Sequence, residues 1–297
     1  MAIEKFLEYL RRERHYSDKT IRSYAADLKG FNHYLSEVYG TDIDSAKTKL
    51  IRRWLVWLQS QGMKPRTINR KLTALRSYYK FQLKTEQRLD NPAASLSGLK
   101  VPKMRPVPLS EAEMRMLLDK YPFPEGFKGL RDRAIIQTFY ETGIRRAELI
   151  GLVNADMDFR RGQIRVRGKG GKERLVPILP DLSVLLERYK AKRDEEFGPF
   201  MPEMPFFVTD KGKKLYDMFV YRLINRYISI VSNKEKRSPH MIRHSFATHL
   251  LDRGADLHTI KQLLGHGSLA STQHYLHSGL AKLKSVYRNA HPRSKKK

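Results

Sequence analysis

The sequence predicts a mainly α-helical protein of two domains, the second of which is mixed α/β, mostly helical, with a small antiparallel sheet. Three observations support this fold class. Apolar residues recur at three- and four-residue steps along most of the chain, as they do on one face of a helix. Two short β-type runs stand close together in the second half. A stretch rich in proline and basic residues separates two patterned segments, and 297 residues are enough for two domains.

The first domain, residues 1–90, is predicted to be a bundle of four helices. The N-terminal segment has helical spacing, the next helix starts at Ser17 or Asp18 as a cap, another ends at Gly62, and the last follows Pro65. The apolar stripes of the last three helices comprise Ile21, Tyr24, Leu28, Phe31 and Leu35; Leu50, Trp54, Leu55 and Leu58; and Ile68, Leu72, Leu75 and Tyr79.

The last helix of this bundle also has a basic side. Its members are Arg66, Arg70, Lys71, Arg76 and Lys80. Such a row suits a phosphate backbone, and it equally suits a solvated helix face. The whole chain has 58 Lys and Arg against 31 Asp and Glu, a formal charge of +27, which attracts polyanions. Nucleic acid is therefore the leading partner and these five residues are DNA-binding candidates, although ribosomal proteins and membrane-surface binders share this charge balance.

Residues 91–108 are predicted to be an extended linker, because prolines, glycine and basic residues replace any sustained period. The second domain, residues 109–297, begins with a helix at Ser110, where Glu113 completes a capping box. The runs QIRVR and RLVPI are joined by GKGGKE, which predicts a hairpin with Lys169 at its tip. Further helices are predicted over 130–142, ending at Gly143, over 147–152, 182–192 and 215–231, and from Pro239 with Ser238 as its cap.

Several classes of protein are excluded by what the sequence lacks. There is no cysteine, so disulfides, thiolate zinc sites and a cysteine nucleophile are ruled out. His240 and His244 lie one helical turn apart, but the glutamate of the HExxH zinc motif is missing, and we predict no metal site. Neither a signal peptide nor a membrane-spanning stretch is evident, which predicts a soluble, cytoplasmic protein without a membrane partner.

The segment SPHMIRHSFATHLL indicates a phosphate site. It places His240 and Arg243 three residues apart at the start of a helix, on one face and near the positive end of the helix dipole. A guanidinium and free backbone N–H groups both bind phosphate oxygens. The HxxR spacing alone is a weak signal, and His244 and His249 are interpreted as packing or surface residues.

A candidate nucleophile follows in LLGHGSLASTQHYLH, where His266 comes directly after Gly265 and Tyr275 lies in a polar segment. A lone tyrosine is usually a core or interface residue. Its phenol has a pKa near 10, so a nucleophilic role needs basic groups or a bound phosphate nearby. The candidates for such groups are Arg145, Lys169, His240, Arg243 and His266.

The ordered segments YETGIRRAEL, GKGGKERLVP, SPHMIRHSFATHLLDRGADL and LLGHGSLASTQHYLH resemble the tyrosine recombinase (phage integrase) family, and within it the Xer branch. The likeness covers nearly the whole chain. Residues 1–90 resemble the family's core-binding, SAM-like domain, and residues 109–297 resemble its catalytic domain.

The resemblance implies a role for each matching residue. Arg145 matches the first phosphate-binding arginine, and Glu148 matches the acid that orients it. Lys169 matches the hairpin lysine that protonates the leaving 5′ oxygen, with Lys172 as the competing candidate. His240 and Arg243 match the HxxR pair, His266 a position filled by histidine or tryptophan, and Tyr275 the nucleophile. Arg146, and the HYLHSG context of the tyrosine, depart from the common pattern.

The family also implies an activity and partners. The expected enzyme cleaves and rejoins strands at a specific duplex DNA site through a 3′-phosphotyrosyl intermediate, without a cofactor, in a homo- or hetero-tetramer whose C-terminal segments pack into neighbouring protomers. Chromosome dimer resolution at the nucleoid is the expected task, with a second Xer recombinase and an FtsK-type translocase as candidate partners. A mobile-element integrase, a non-catalytic DNA-binding relative and a type IB topoisomerase remain alternatives.

Overall fold

A computed structural model describes residues 2–102, 107–168, 171–265 and 278–294. The chain divides into two compact units, Met1–Met104 and Arg105–Lys297. The predicted fold class is confirmed, since the elements are mainly helices with one small antiparallel sheet in the second unit. No helix in the described ranges has the length and apolar character needed to cross a bilayer.

The first unit consists of four helices around one core. They are α1 (Ala2–Arg12), α2 (Asp18–Tyr39), α3 (Thr48–Ser60) and α4 (Pro65–Lys84). Ser17 is the cap of α2, because its Oγ accepts the Thr20 N–H at 3.3 Å. The predicted apolar stripes face one another, and the rings of Phe31 and Trp54 lie 4.7 Å apart at their centroids.

The second unit is built around helix α6, which is buried on nearly every side between α8 and α10. Its helices are α5 (Glu111–Arg115), α6 (Gly126–Thr142), α7 (Arg146–Gly151), α8 (Pro180–Phe197), α9 (Asp217–Val231), α10 (Pro239–Asp252), α11 (Leu257–Leu264) and α12 (Ser278–Ala290). The capping box before α5 is present: Ser110 Oγ accepts the Glu113 N–H at 3.1 Å, and Glu113 Oε2 accepts the Ser110 N–H at 2.6 Å.

The sheet has three antiparallel strands in the order β1 (Met157–Asp158), β2 (Gln163–Arg167) and β3 (Glu173–Pro177). The two predicted runs form β2 and β3, with Val166 opposite Arg174. The Gly168 N–H donates to the Lys172 carbonyl at 2.7 Å and closes the hairpin. Strand β1 was not predicted, because two residues are too few to show alternation.

Ser238 is the cap residue of α10 and Pro239 is the first residue of the helix, as predicted. The Ser238 backbone is extended, with φ −157°, and the side chain makes no cap hydrogen bond. The first turn of α10 therefore begins without a side-chain acceptor from its own cap residue.

The described part of the C-terminal segment packs against its own unit, whereas the family resemblance implied packing into a neighbouring protomer. Tyr287 is 1% exposed, and its hydroxyl donates to the Glu141 carbonyl at 2.8 Å. Arg293 Nε donates to Glu141 Oε1 at 3.1 Å. Burial raises the pKa of the Glu141 carboxyl to about 7, despite opposing hydrogen bonds from Gln137 and Arg293.

The turn after α6 needs glycine. Gly143 has φ +59°, and a Cβ there would lie 2.4 Å from Cδ1 of the buried Phe246 ring. We expect Gly143→Ala to lower the free energy of unfolding of the second unit by about 3 kcal/mol, because backbone strain adds to overpacking. Urea unfolding followed by circular dichroism would measure this.

The chain provides two controls for that experiment. Both tryptophans, Trp54 and Trp57, lie in the first unit, so their fluorescence reports the stability of that unit in the same sample. Gly151→Ala is the matched substitution, since a Cβ there would meet nothing within 4 Å. Equal midpoints for Gly143→Ala and Gly151→Ala would contradict the expected steric conflict.

Candidate active site

Arg145 is held by Glu148 at the start of α7. The Arg145 N–H donates to Glu148 Oε2 at 2.7 Å, and Arg145 Nη1 donates to Glu148 Oε1 at 2.8 Å. One carboxylate thus fixes both the backbone and the guanidinium of Arg145. The Arg145 side chain remains 37% exposed, so part of the guanidinium is accessible to solvent.

Glu148 also binds a second arginine, Arg174 on β3. Arg174 Nη1 donates to Glu148 Oε1 at 3.0 Å and Nη2 donates to Oε2 at 2.8 Å, a bidentate pair. Burial alone would raise the pKa of Glu148, but the hydrogen bonds from Arg174 and Arg145 outweigh it and lower the pKa to about 2. The carboxylate is therefore charged at any pH near neutrality.

Arg243 on α10 is 6% exposed and lies beside the turn that precedes Arg145. Its Nη1 donates to the Gly143 carbonyl, and its Nη2 donates to the Leu264 carbonyl at 2.8 Å. Burial, and then the positive charge of Arg145, lower the pKa of Arg243 to about 10. The guanidinium remains protonated at neutral pH and provides a desolvated positive charge.

His240 lies one turn before Arg243 at the exposed start of α10. Desolvation, followed by the charges of Arg243, Arg146 and Arg145, lowers the pKa of His240 below its ordinary value. A lowered pKa favours the neutral imidazole near pH 7, the form that can accept a proton.

The end of α11 connects the arginines of the site. Successive carbonyls of its last turn accept from different arginines: Leu263 from Arg174 Nε at 3.0 Å, Leu264 from Arg243 Nη2 at 2.8 Å, and Gly265 from Arg145 Nη2 at 3.5 Å. Carbonyls at a helix C-terminus lack intrahelical partners and carry partial negative charge. We call Arg145, Arg174 and Arg243 the arginine cluster; the helix end sets the positions of all three.

Three of the predicted catalytic residues, Lys169, His266 and Tyr275, lie outside the described residues, and their roles stay predictions. Lys169 follows Gly168 in the β2–β3 hairpin, and the chain between α11 and α12 contains the other two. The competing Lys172 has an exposed side chain, and its carbonyl closes the hairpin.

The structure adds two arginines near the site, Arg146 and Arg174, to which the sequence assigned no role. Arg146, which departs from the family pattern, donates from Nη2 to Asp217 Oδ2 at 2.8 Å and so links α7 to the start of α9. Arg174 was missed as a site residue. A signal existed, because Arg174 is two residues from the buried Val176 and must share its face of β3.

His249 is one of the two histidines that were interpreted as packing or surface residues. His249 is 5% exposed, and its Nδ1 lies 2.9 Å from the Tyr140 hydroxyl, a buried structural contact. Among the described residues, no group of three or more His, Asp or Glu side chains is arranged to hold a metal ion.

The DNA-binding candidates on α4 do not form one free row. Arg70 and Lys71 both pair with Asp27, which is 1% exposed, and the Lys71 ammonium lies 5.6 Å from the centre of the Trp54 ring. Arg76 donates to backbone carbonyls of 93 and 96. Arg66, Arg70 and Lys80 are exposed, whereas Lys71 and Arg76 are half-buried and take part in packing of the unit.

Comparisons with known proteins agree with this architecture. The model of the phage integrase family matches residues 108–281, and that of the phage integrase N-terminal SAM-like domain matches residues 3–86. The tyrosine recombinase XerC of Syntrophus aciditrophicus is 39% identical over 99% of this chain and 98% of its own length. The tyrosine recombinase XerD of Pseudomonas putida is 36% identical over 98% and 97%.

Solved structures show the same fold. The XerH site-specific recombinase bound to its difH substrate in a pre-cleavage complex is 25% identical, with a TM-score of 0.69 over 96% of this chain and 84% of that one. Both parts of the chain match models of this family, and the two relatives exceed 30% identity over nearly the full length, so the family is established. The chain belongs to the phage integrase family and is a tyrosine recombinase, an enzyme that cleaves and rejoins DNA strands.

Proposed function

We propose that this chain is a site-specific recombinase that cleaves duplex DNA with Tyr275 as nucleophile, within a catalytic domain of residues 109–297 joined by the linker 91–108 to a core-binding domain of residues 1–90. The observation that supports it most is the end of α11. That helix end holds Arg145 and Arg243 together, and the chain runs from it into the segment with His266 and Tyr275.

The two arginines suit the transition state of phosphodiester attack. Attack of the Tyr275 phenolate oxygen on phosphorus builds negative charge on the nonbridging oxygens of a five-coordinate phosphorus. Arg145, partly exposed, and Arg243, desolvated and fixed by two carbonyls, supply preorganised positive charge for those oxygens. His266 completes the set of groups around the phosphate.

Two proton transfers accompany the cleavage step. The Tyr275 hydroxyl loses its proton to His240, whose lowered pKa keeps the imidazole neutral before the reaction. Lys169 gives a proton to the leaving 5′ oxygen. The products are a 3′-phosphotyrosine and a free 5′ hydroxyl, so the phosphoester bond is exchanged and no external energy is consumed.

Strand exchange is the reverse reaction with a different 5′ hydroxyl. If that hydroxyl comes from a second duplex, its attack on the phosphotyrosine joins strands of two sites and releases Tyr275. Four protomers on two duplexes, as a homo- or hetero-tetramer, supply one tyrosine for each strand. On α4, we propose that the exposed Arg66, Arg70 and Lys80 contact the DNA backbone, with Lys71 and Arg76 as packing residues that add charge.

Chromosome dimer resolution is the cellular task that we propose, at the nucleoid in the cytoplasm. Full-length likeness to proteins named XerC and XerD supports an Xer task, with a second Xer recombinase as a candidate partner and an FtsK-type translocase as a candidate regulator. Sequencing of host DNA fragments trapped covalently on the protein tests this. Fragments from one chromosomal locus are expected, and fragments from the ends of mobile elements would indicate an integrase instead.

The cleavage chemistry is tested on a nicked duplex that lets the fragment bearing the new 5′ hydroxyl diffuse away and so traps the adduct. The wild-type chain is expected to form a covalent adduct at a specific site. Relaxation of supercoiled DNA without site preference would contradict the recombinase proposal and indicate a type IB topoisomerase.

Lys169→Ala is expected to slow adduct formation by about 10²- to 10⁴-fold, because the leaving 5′ oxygen loses its general acid. A 5′-thio substrate, whose leaving group needs no proton, should restore cleavage. Rates on both substrates measure the effect, with Lys172→Ala as the matched control. Rescue of Lys172→Ala and not of Lys169→Ala would move the general acid to Lys172.

A further inference from the structure

Arg174 joins three elements of the site. It lies on β3, the second strand of the β2–β3 hairpin, and Lys169 belongs to the sequence that joins the two strands. It binds Glu148 of α7 through Nη1 and Nη2, and it binds the Leu263 carbonyl at the end of α11 through Nε. Its side chain is 15% exposed, and each of its three guanidinium nitrogens donates to one of these protein acceptors.

The place of the guanidinium is also limited by the backbone of the helix end. A Cβ at Gly265, where φ is +66°, would lie 3.0 Å from Arg174 Nη1. The hydrogen bonds on one side and the close backbone of Gly265 on the other restrict where the Arg174 guanidinium can lie. Arg145 and Arg174 share one acceptor, because Glu148 Oε1 accepts from Arg145 Nη1 at 2.8 Å and from Arg174 Nη1 at 3.0 Å.

A lysine at position 174 could not make the same set of hydrogen bonds. Two parallel bonds to one carboxylate and a third to a carbonyl require the planar fork of a guanidinium, whereas an ammonium is a compact point charge. Without Arg174, the buried Glu148 would keep Arg145 as its remaining ionic partner, and the Leu263 carbonyl would lose its donor. The Arg145 fork would then lose its fixed direction.

We propose that Arg174 is a positioning residue for DNA cleavage: it aligns Arg145 through Glu148 and ties the base of the Lys169 hairpin to the helix end from which the His266–Tyr275 segment starts. This inference rests on the proposed function of those residues. Arg174 does not touch the phosphate. It acts through Glu148, and the correct geometry of Arg145 is what it provides.

The experiment uses the full chain and a nicked trapping duplex, with single-turnover adduct formation measured at saturating DNA. We expect Arg174→Gln to lower this rate on the order of 10²-fold, the cost of a misplaced catalytic group, with the Kd for DNA within about threefold of wild type. Arg174→Lys keeps the charge and should still lose about tenfold, because it cannot form the fork.

Arg167→Gln is the matched control. Arg167 is an arginine of the same hairpin, on β2. It pairs with Asp156 and Glu173, and strand alternation puts it on the face of the sheet opposite to Arg174. Its loss should leave the rate unchanged. If Arg174→Gln does not fold, the folded Arg174→Lys variant decides the question by its rate.

The pH dependence of the cleavage rate distinguishes a positioning role from a general loss of stability. Glu148 must be ionised to hold Arg145, and in the wild type its low pKa keeps it so well into acid. Loss of Arg174 removes the strongest interaction that lowers this pKa, so the acid limb of the cleavage rate should shift to higher pH in Arg174→Gln, and not in Arg167→Gln.

A double variant tests the path through Glu148. Because Arg174 acts through that carboxylate, adding Arg174→Gln to Glu148→Gln should cost far less than the product of the two single effects. The outcomes separate the two proposals. No adduct from the wild type would overturn the proposed function, whereas a cleaving wild type with Arg174→Gln and Arg174→Lys at the wild-type rate would overturn this inference alone.

Discussion

Tyr275→Phe is expected to bind duplex DNA with wild-type affinity and to form no covalent adduct. The substitution removes one oxygen atom, the proposed nucleophile, and leaves the arginine cluster in place. Loss of a nucleophile typically costs on the order of 10⁶ in rate, so adduct formation should fall below detection. Gel separation of protein-bound DNA after denaturation measures the adduct, and a mobility shift without denaturation measures binding.

Tyr216→Phe is the matched control for that variant. It also removes a phenolic hydroxyl, from a side chain that is 54% exposed at the start of α9. The control should cleave at the wild-type rate. Adduct formation by Tyr275→Phe would show that another residue attacks the phosphate.

Arg243→Lys is expected to lower the rate of adduct formation by about 10²- to 10³-fold, the usual cost of one preorganised donor to a developing oxyanion. An ammonium keeps the charge, but it cannot donate to the Gly143 and Leu264 carbonyls and also face a phosphate with fixed geometry. Single-turnover rates at saturating DNA would show the loss, while the Kd for DNA should change little.

Arg253→Lys makes the same change in the residue that follows α10, where the arginine pairs with Glu111 at the surface. Because an ion pair at an exposed site contributes little, this variant should keep the wild-type rate. Equal losses in Arg243→Lys and Arg253→Lys would mean that Arg243 acts only as a structural residue.

Local patterns predicted much of the fold because the physics behind them is local. The capping box at Ser110 and Glu113 and the Ser17 cap were read from short spacings and are present. The β2–β3 hairpin followed from two short β-type runs joined by a glycine-rich turn. Ser238 shows the limit, because a cap residue is recognised by type but its side chain need not make the bond.

The tertiary partners of charged residues could not be predicted in the same way. On α4 the five basic residues look alike in the sequence, yet Lys71 packs on Trp54 and pairs with Asp27, which belongs to α2. Arg174 presents the same difficulty. Its face of β3 was predictable from alternation, but its partners Glu148 and Leu263 come from 26 and 89 residues away.

The proposed mechanism is tested most directly by locating the covalent bond in the trapped wild-type complex. After nuclease digestion and proteolysis, mass spectrometry should find a nucleotide phosphate on the peptide that contains Tyr275, attached to its phenolic oxygen. The same modification on any other residue, or an unmodified Tyr275 in protein that has cleaved its DNA, would contradict the mechanism.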